Sequence, residues 1–200
     1  MPRNFGDLLT EFYGRGFDYL DDGGAGETRA QRMVNDANHL VGDLASWPWH
    51  EAFLSGASPL TIPDLNQIGA VVFNRQPLCR RSAPELLAWF GDLDREGSPE
   101  CFYVLGGDEI HTFPRSTETL GVSYWRTEPD MVNLTDEPLM PERFRTVIIE
   151  YAVAAAYRDD QSPDHQVATQ AGDAIVARMR DWAGLTSPRA TYWPAVGDDC

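Results

Sequence analysis

Lysine is absent from this 200-residue chain, and all 16 basic residues are arginine. That absence has no folding rationale; it fits a GC-rich coding sequence, because arginine codons are GC-rich and lysine codons are not. The 31 acidic residues leave a formal net charge of −15. Gripping a phosphate backbone takes clustered basic side chains, and no basic patch is longer than Arg80-Arg81. The composition therefore argues against a nucleic-acid binder and against an anionic membrane surface as a partner. It permits a role in which DNA passes by without sticking. Cysteine is scarce: Cys79, Cys101 and Cys200 are an odd number without CxxC spacing, which predicts free thiols in a reducing compartment. No apolar run reaches the roughly 18–20 residues of a membrane span. The opening MPRNFGDLL has no apolar h-region, so no signal peptide is expected. These absences point to a cytoplasm, or the inside of a particle.

Signatures of catalysis are also missing. There is no GxSxG, no Walker A loop, no HExxH and no His/Cys cluster. The spacing of Asp36, His39 and Asp43 is helical, but no second His shares that helix, and the group reads as a solvated face. Glu109 and His111 read as one face of a strand at the surface. DDGGAGE at 21–27 is glycine-rich, yet its acids would repel a phosphate. Cys79 beside Arg80 and Arg81 has no His nearby in sequence to make it a nucleophile. The expectation is a protein that is not an enzyme, with no catalytic residue, no metal site and no cofactor.

What the chain does have is a hydrophobic content of 42%, an aromatic content of 11%, and enough length for a real core. FGDLLTEF places Phe5, Leu8, Leu9 and Phe12 at helical spacing, with Gly14 and Gly16 ending that helix. A second helix is predicted from about Thr28 to Ala45, with Met33, Val34, Ala37, Leu40, Val41 and Leu44 as its stripe. SWPWHEAF breaks it at Pro48, and Trp47 and Trp49 there read as the cap of a core. Short apolar runs then alternate with prolines. PLTIPDL and IGAVVF read as strands. Ser82 with Glu85 is a capping box for a short helix. CFYVL and DEIHTF flank a hairpin turn at Gly106-Gly107, and TLGVSYW is expected as the third strand of that meander. Trp89, Phe90 and Trp125 read as core of this β-rich stretch, or as its contact with a neighbouring subunit.

Helical periodicity returns after Pro141. Phe144, Val147, Ile148, Tyr151, Ala152, Ala155 and Ala156 form one stripe. Val167, Ala171, Ala174, Ile175, Met179 and Trp182 form the next, after a start at Ser162-Pro163. The short connection predicts an antiparallel hairpin, with Ala171 and Gly172 facing Ala155 and Ala156. Gly184 closes the last helix. The predicted fold class is α+β, with about four helices, a β-rich insertion and an extended C-terminal arm. The expected segments are 1–46, 47–140, 141–185 and 186–200. The expected helix-packing core is Leu40, Val41, Leu44, Phe144, Val147, Ile148, Tyr151, Ala155, Ile175, Met179 and Trp182.

The order of these stretches resembles the head-to-tail adaptor proteins (head–tail connectors) of long-tailed, siphovirus-type bacteriophages, especially those of actinobacterial hosts. The resemblance lies in FGDLLTEFYGRGFDYL with Arg15-Gly16-Phe17-Asp18, in RMVNDANHLVGDLASWPW with Asn35 and the Trp47-Pro48 exit, in LTIPDL at 60–65, in HTFP at 111–114, and in LMPERFRTVIIEYAVAAAYRDD. It implies a structural virion neck protein, assembled in the host cytoplasm. Roughly twelve copies would form a ring beneath the portal protein, extend the DNA channel and offer a platform to the stopper. Genomic DNA would pass through an acidic lumen without sequence-specific binding. The resemblance also supplies a reading of the tail TSPRATYWPAVGDDC. Related adaptors dock this segment on the portal. Tyr192 and Trp193 would be the anchors, Val196 would add apolar contact, and Pro188 and Pro194 would stiffen the arm. The alternatives are that Trp193 folds back on the protein's own core, or that the segment is disordered. Two other functions remain open: another neck or tail-completion protein, and a small ligand-binding α+β domain.

Overall fold

The computed structural model describes residues 4–185. The arm residues Pro188, Tyr192, Trp193, Pro194 and Val196 lie outside the described residues. The described chain divides into two compact units. One comprises 4–49 with 128–185, and the other is His50–Thr127.

The first unit is helical. Helix α1 spans Phe5–Phe12. Asn4 caps it by accepting the Asp7 N–H at 2.9 Å. Two more of its unpaired N–H groups, from Phe5 and Gly6, donate to the carbonyls of Asp136 and Leu134 at 2.8 and 2.9 Å. Phe5, Leu8, Leu9 and Phe12 are all buried. Gly14 and Gly16 do not stop the chain outright. A π-helical turn at Tyr13–Phe17 follows, in which Gly16 takes φ +101°, and it lays Phe17 on Phe12 with centroids 4.9 Å apart.

Helix α2 spans Ala25–Asp43. It starts earlier than the pattern predicts because Asp22 supplies the cap: its carboxylate accepts N–H groups from Gly24, Gly26 and Glu27. Gly26 is required there, since a Cβ would sit 2.9 Å from the Leu20 carbonyl. Ala30, Met33, Val34, Ala37 and Val41 form the buried arc. Leu40, expected in the core, is 47% exposed, because it falls at the edge of that arc. Leu44 is half-buried.

After a 3-10 turn at Glu142–Phe144, helix α4 spans Thr146–Asp159 and helix α5 spans His165–Trp182; α3 belongs to the second unit. Helix α4 packs against α1, α2 and α5, so Val147, Ile148, Ile149, Ala152, Val153, Ala154 and Ala156 are all buried. Tyr151, Ala155 and Phe144 are half-buried. The helix hairpin forms, with its α5 stripe rotated by one residue. Ala168, Gly172, Val176 and Met179 are buried, Ile175 is half-buried, and Val167 is exposed. Gly172 decides this. A Cβ there would lie 3.0 Å from the Tyr151 ring, so the closest approach of the helices falls at Gly172, not Ala171. Gly184, at φ +71°, closes α5.

Asn38 lies on the inner side of α2, 1% exposed, and its amide has no hydrogen-bond partner among the described residues. A buried unpaired amide costs about 1–3 kcal/mol. Asn38→Leu is therefore expected to raise stability by an amount of that order, measured by urea denaturation. A loss of stability instead would place an ordered water on the amide.

The second unit holds β1 (Glu51–Ala57), β2 (Leu60–Thr61), β3 (Leu65–Phe73), β4 (Gln76–Pro77), β5 (Cys79–Arg80), α3 (Ala83–Phe90), β6 (Cys101–Leu105), β7 (Glu109–Phe113) and β8 (Thr119–Arg126). The capping box is present: Ser82 Oγ accepts the Glu85 N–H, and the Glu85 carboxylate accepts the Ser82 N–H. The β6–β7 hairpin turns at Gly106 and Gly107, both with positive φ. β8 is not the third strand of that meander. The sheets run β1-β8-β3-β4 and β2-β7-β6-β5, so β8 lies between β1 and β3. Its inward residues Leu120, Val122 and Tyr124 share a core with Val71 and Phe73 of its own sheet and with Phe102 and Ile110 of the other. Burial of both inner faces therefore places β8 opposite the hairpin, not beside it. Cys101 is a buried free thiol, and Cys200 lies outside the described residues.

Candidate interaction surfaces

The polar groups singled out in the sequence do not converge. His39 Nε2 lies 2.7 Å from an oxygen of Asp130, at the surface. His111 lies 3.3 Å from Glu109 and stacks on Tyr103. His165 Nδ1 meets the Ser162 carbonyl at 2.8 Å, and His50 is buried. Among the described residues no group of three or more His, Cys, Asp or Glu is placed to hold a metal. The glycine-rich stretch 21–27 serves α2. The N–H groups that would face a phosphate are taken by Asp22, and these bonds hold the Asp22 carboxyl below the usual carboxylate range.

Apolar and aromatic surface is more informative. Trp47 is fully buried; its ring stacks on Trp49 at 4.9 Å, and its Nε1–H donates to the Val41 carbonyl at 2.7 Å. Trp182, assigned to the helix interface by its spacing, instead sits at a rim and is 50% exposed. It meets Phe144 and Trp49 at centroid distances of 5.6 and 6.1 Å. The Arg143 guanidinium lies 4.1 Å from the Trp182 ring centroid. The last turn of α5 has passed the end of its partner helix, which is why Trp182 turns to this aromatic corner.

In the second unit, Phe90 packs on Phe113 at 4.8 Å, but Trp89 is 59% exposed beneath Arg81. Trp89 and Phe90, at 59% and 47% exposed, are therefore not core, since α3 is short and buries only Leu86 fully; the alternative reading, contact with a neighbouring subunit, is untouched by this. In the first unit, Val132 and Leu134 are 76% and 57% exposed. They occupy the stretch TEPDMVNLTDEP, which carries no helical or strand period; two apolar residues among turn formers are the only sequence signal for them.

The fold is thus an α+β architecture of a helical unit interrupted in sequence by a β unit, whose accessible features are apolar surfaces. The family model of the SU10 adaptor protein matches residues 6–192, nearly the whole chain. The chain belongs to that family. It is a phage structural adaptor, a virion component of the head–tail junction that interacts with other phage head and tail proteins. Such adaptors are typically non-enzymatic. No curated protein matches the chain.

Proposed function

We propose that the protein assembles as a ring of roughly twelve copies beneath the portal protein, extends the DNA channel, and links the portal to the stopper and tail. The observation that carries this reading is the adaptor-family match over residues 6–192. The charge supports it. At a net −15, a lumen lined by these subunits repels the DNA backbone and lets it slide during packaging and ejection. The segment after Gly184 serves as the portal-docking arm, with Tyr192 and Trp193 as anchors, Val196 beside them, and Pro188 and Pro194 lowering the ordering cost.

The test mixes the full chain, or residues 1–184, with the portal protein of the same phage, followed by co-sedimentation and negative-stain imaging. The full chain is expected to form rings on the portal and the shortened chain to lose them. Rings formed equally by both remove the arm from the proposal. A full chain that neither binds nor assembles removes the ring.

A further inference from the structure

β5 is the last strand of its sheet and pairs with β6 in parallel, Cys79 beside Cys101 and Arg80 beside Phe102. The Arg81 N–H donates to the Phe102 carbonyl at 2.8 Å. Backbone polar groups alternate sides along a strand, so the N–H and carbonyl of Arg80 face the open edge. That edge is short: the Leu78 N–H donates to the Val71 carbonyl, and Ser82 caps α3. It reads Cys79-Arg80-Arg81. Cys79 is half-buried at the margin of a small core of Leu86, Cys101, Tyr103 and Phe113. Arg81 lies over Trp89, and the Glu85 carboxylate near it is bonded to the Ser82 N–H and Oγ at 2.9 and 2.8 Å. Arg80 is exposed and makes no ion pair among the described residues. It borders a cavity of about 280 Å³ with Gln67, Ile68, Phe102 and Val104, and it is the one charged residue of that lining.

Charge and register select what adds to this edge. The chain has three Asp-Asp pairs. Asp22 of the first caps α2, and Asp159 and Asp160 of the second face Arg29. The third, Asp198-Asp199, is followed by Cys200. Read antiparallel, it sets a carboxylate against each arginine of β5 and a thiol against Cys79. The longer open edge, β1, carries Glu51 and no arginine, so it repels the same segment.

We propose that Asp198-Asp199-Cys200 adds as a short antiparallel strand to the β5 edge of the same copy, with Cys200 opposite Cys79, Asp199 opposite Arg80 and Asp198 opposite Arg81. Arg80 and Asp199 exchange the backbone hydrogen bonds. The flanking pairs are then the closer, non-hydrogen-bonded ones, with Cα atoms about 4.5 Å apart. A disulfide spans Cα separations of about 4.4–6.8 Å, so Cys79 and Cys200 can be joined there. A low-molecular-weight disulfide is the oxidant. One cysteine thiolate attacks it and expels a thiol, and the other resolves the mixed disulfide and expels the second. The two cysteine protons pass to the two released thiols. In a reducing compartment the pair stays open, and in an oxidising medium it closes. Cys101 does not compete, since burial pushes its thiol up and keeps it from the thiolate form that exchanges. Fifteen residues follow Leu185, an extended reach of about 50 Å, and the tether favours the edge of its own copy. The contact goes beyond the portal reading and leaves Tyr192 and Trp193 to it. Tied at both ends, the arm loses less entropy when those anchors dock.

The test uses the full chain in glutathione redox buffers, with linkages read by non-reducing peptide mapping and gels. Cys79–Cys200 is expected in monomeric protein, with Cys101 reduced. Arg80→Gln and Asp198→Asn/Asp199→Asn change exposed or arm positions and are expected to keep the wild-type circular dichroism spectrum. Each is expected to lower the equilibrium constant for closure about threefold or more, and high salt to narrow the difference. Asp199→Cys/Cys200→Ser moves the thiol opposite Arg80 and is expected to lower closure at least tenfold. Equal closure in that variant and in wild type shows a flexible tether and overturns the strand pairing. A ladder of disulfide-linked multimers places the segment on another copy and overturns the same-copy contact, as does the absence of a Cys79–Cys200 linkage. Either failure leaves the portal reading standing, which the 1–184 chain tests separately.

Discussion

Trp47→Ala is expected to lower the stability of the helical unit by about 3–5 kcal/mol, the usual cost of deleting a large, fully buried aromatic side chain. For a chain of this length that corresponds to a fall in Tm of roughly 6–20 °C, read by circular dichroism at 222 nm. The reason is the number of roles at one position. The Trp47 ring is fully buried and stacks on Trp49, and its Nε1–H caps the Val41 carbonyl near the end of α2. The chain leaves α2 through this residue, so its removal opens a cavity and takes away the shorter of two hydrogen bonds to the Val41 carbonyl, the other coming from the Leu44 N–H at 3.3 Å. Trp47→Phe keeps most of the volume but not the donor, and is expected to cost about 1–2 kcal/mol. Trp182→Ala, at the rim of the same corner, is expected to cost less than Trp47→Ala by at least half. Equal effects at Trp47 and Trp182 would show that the corner, not the buried ring, carries the stability.

Arg145→Leu is the second large effect, expected at about 2–4 kcal/mol. Arg145 is a buried cation whose guanidinium clamps the chain entering α4. Its Nε–H donates to the Met140 carbonyl at 3.0 Å, and Nη2 donates to the Pro138 carbonyl at 3.2 Å and to the Glu137 carboxylate at 3.0 Å. Leucine keeps volume and removes every donor, leaving buried carbonyls unpaired. Arg145→Lys is expected to recover less than half of the loss, because one ammonium cannot reproduce a planar fork. Glu137→Gln is expected to cost under about 1 kcal/mol, since Glu137 is largely exposed and its ion pair is screened by water. Equilibrium denaturation of the three variants decides between the carbonyl clamp and the ion pair. If Glu137→Gln matches Arg145→Leu, the charge matters and the clamp does not.

The Asp22 and Arg145 interactions share a feature that matters for an assembling protein. Both satisfy chain ends and connections internally, while Val132, Leu134, Leu40 and Trp89 stay exposed. Exposed apolar groups on a well-satisfied backbone are what an interaction surface requires.

The sequence by itself determined the α+β class, the helices and the hairpin at Gly106-Gly107, because periodicity, caps and positive-φ glycines act over a few residues. Phe5, Leu8, Leu9 and Phe12 were readable as one buried face for that reason. So were the Ser82–Glu85 capping box and the stop at Gly184. Only the tertiary structure decided which strand neighbours which. β8 has the alternation of a meander strand, yet it crosses to the other sheet, since a period of two says which face is buried and not against what. It also decided the rotation of α5, through one close approach of Gly172 to Tyr151, the exposure of Leu40 at the edge of the buried arc of α2, and the exposure of Trp182, which depends on where a partner helix ends. The Val132–Leu134 turn was invisible for the same reason. Its order comes from Asn35, Asp136 and the N-terminus of α1, groups up to 131 residues apart in sequence that meet only once the helices have packed.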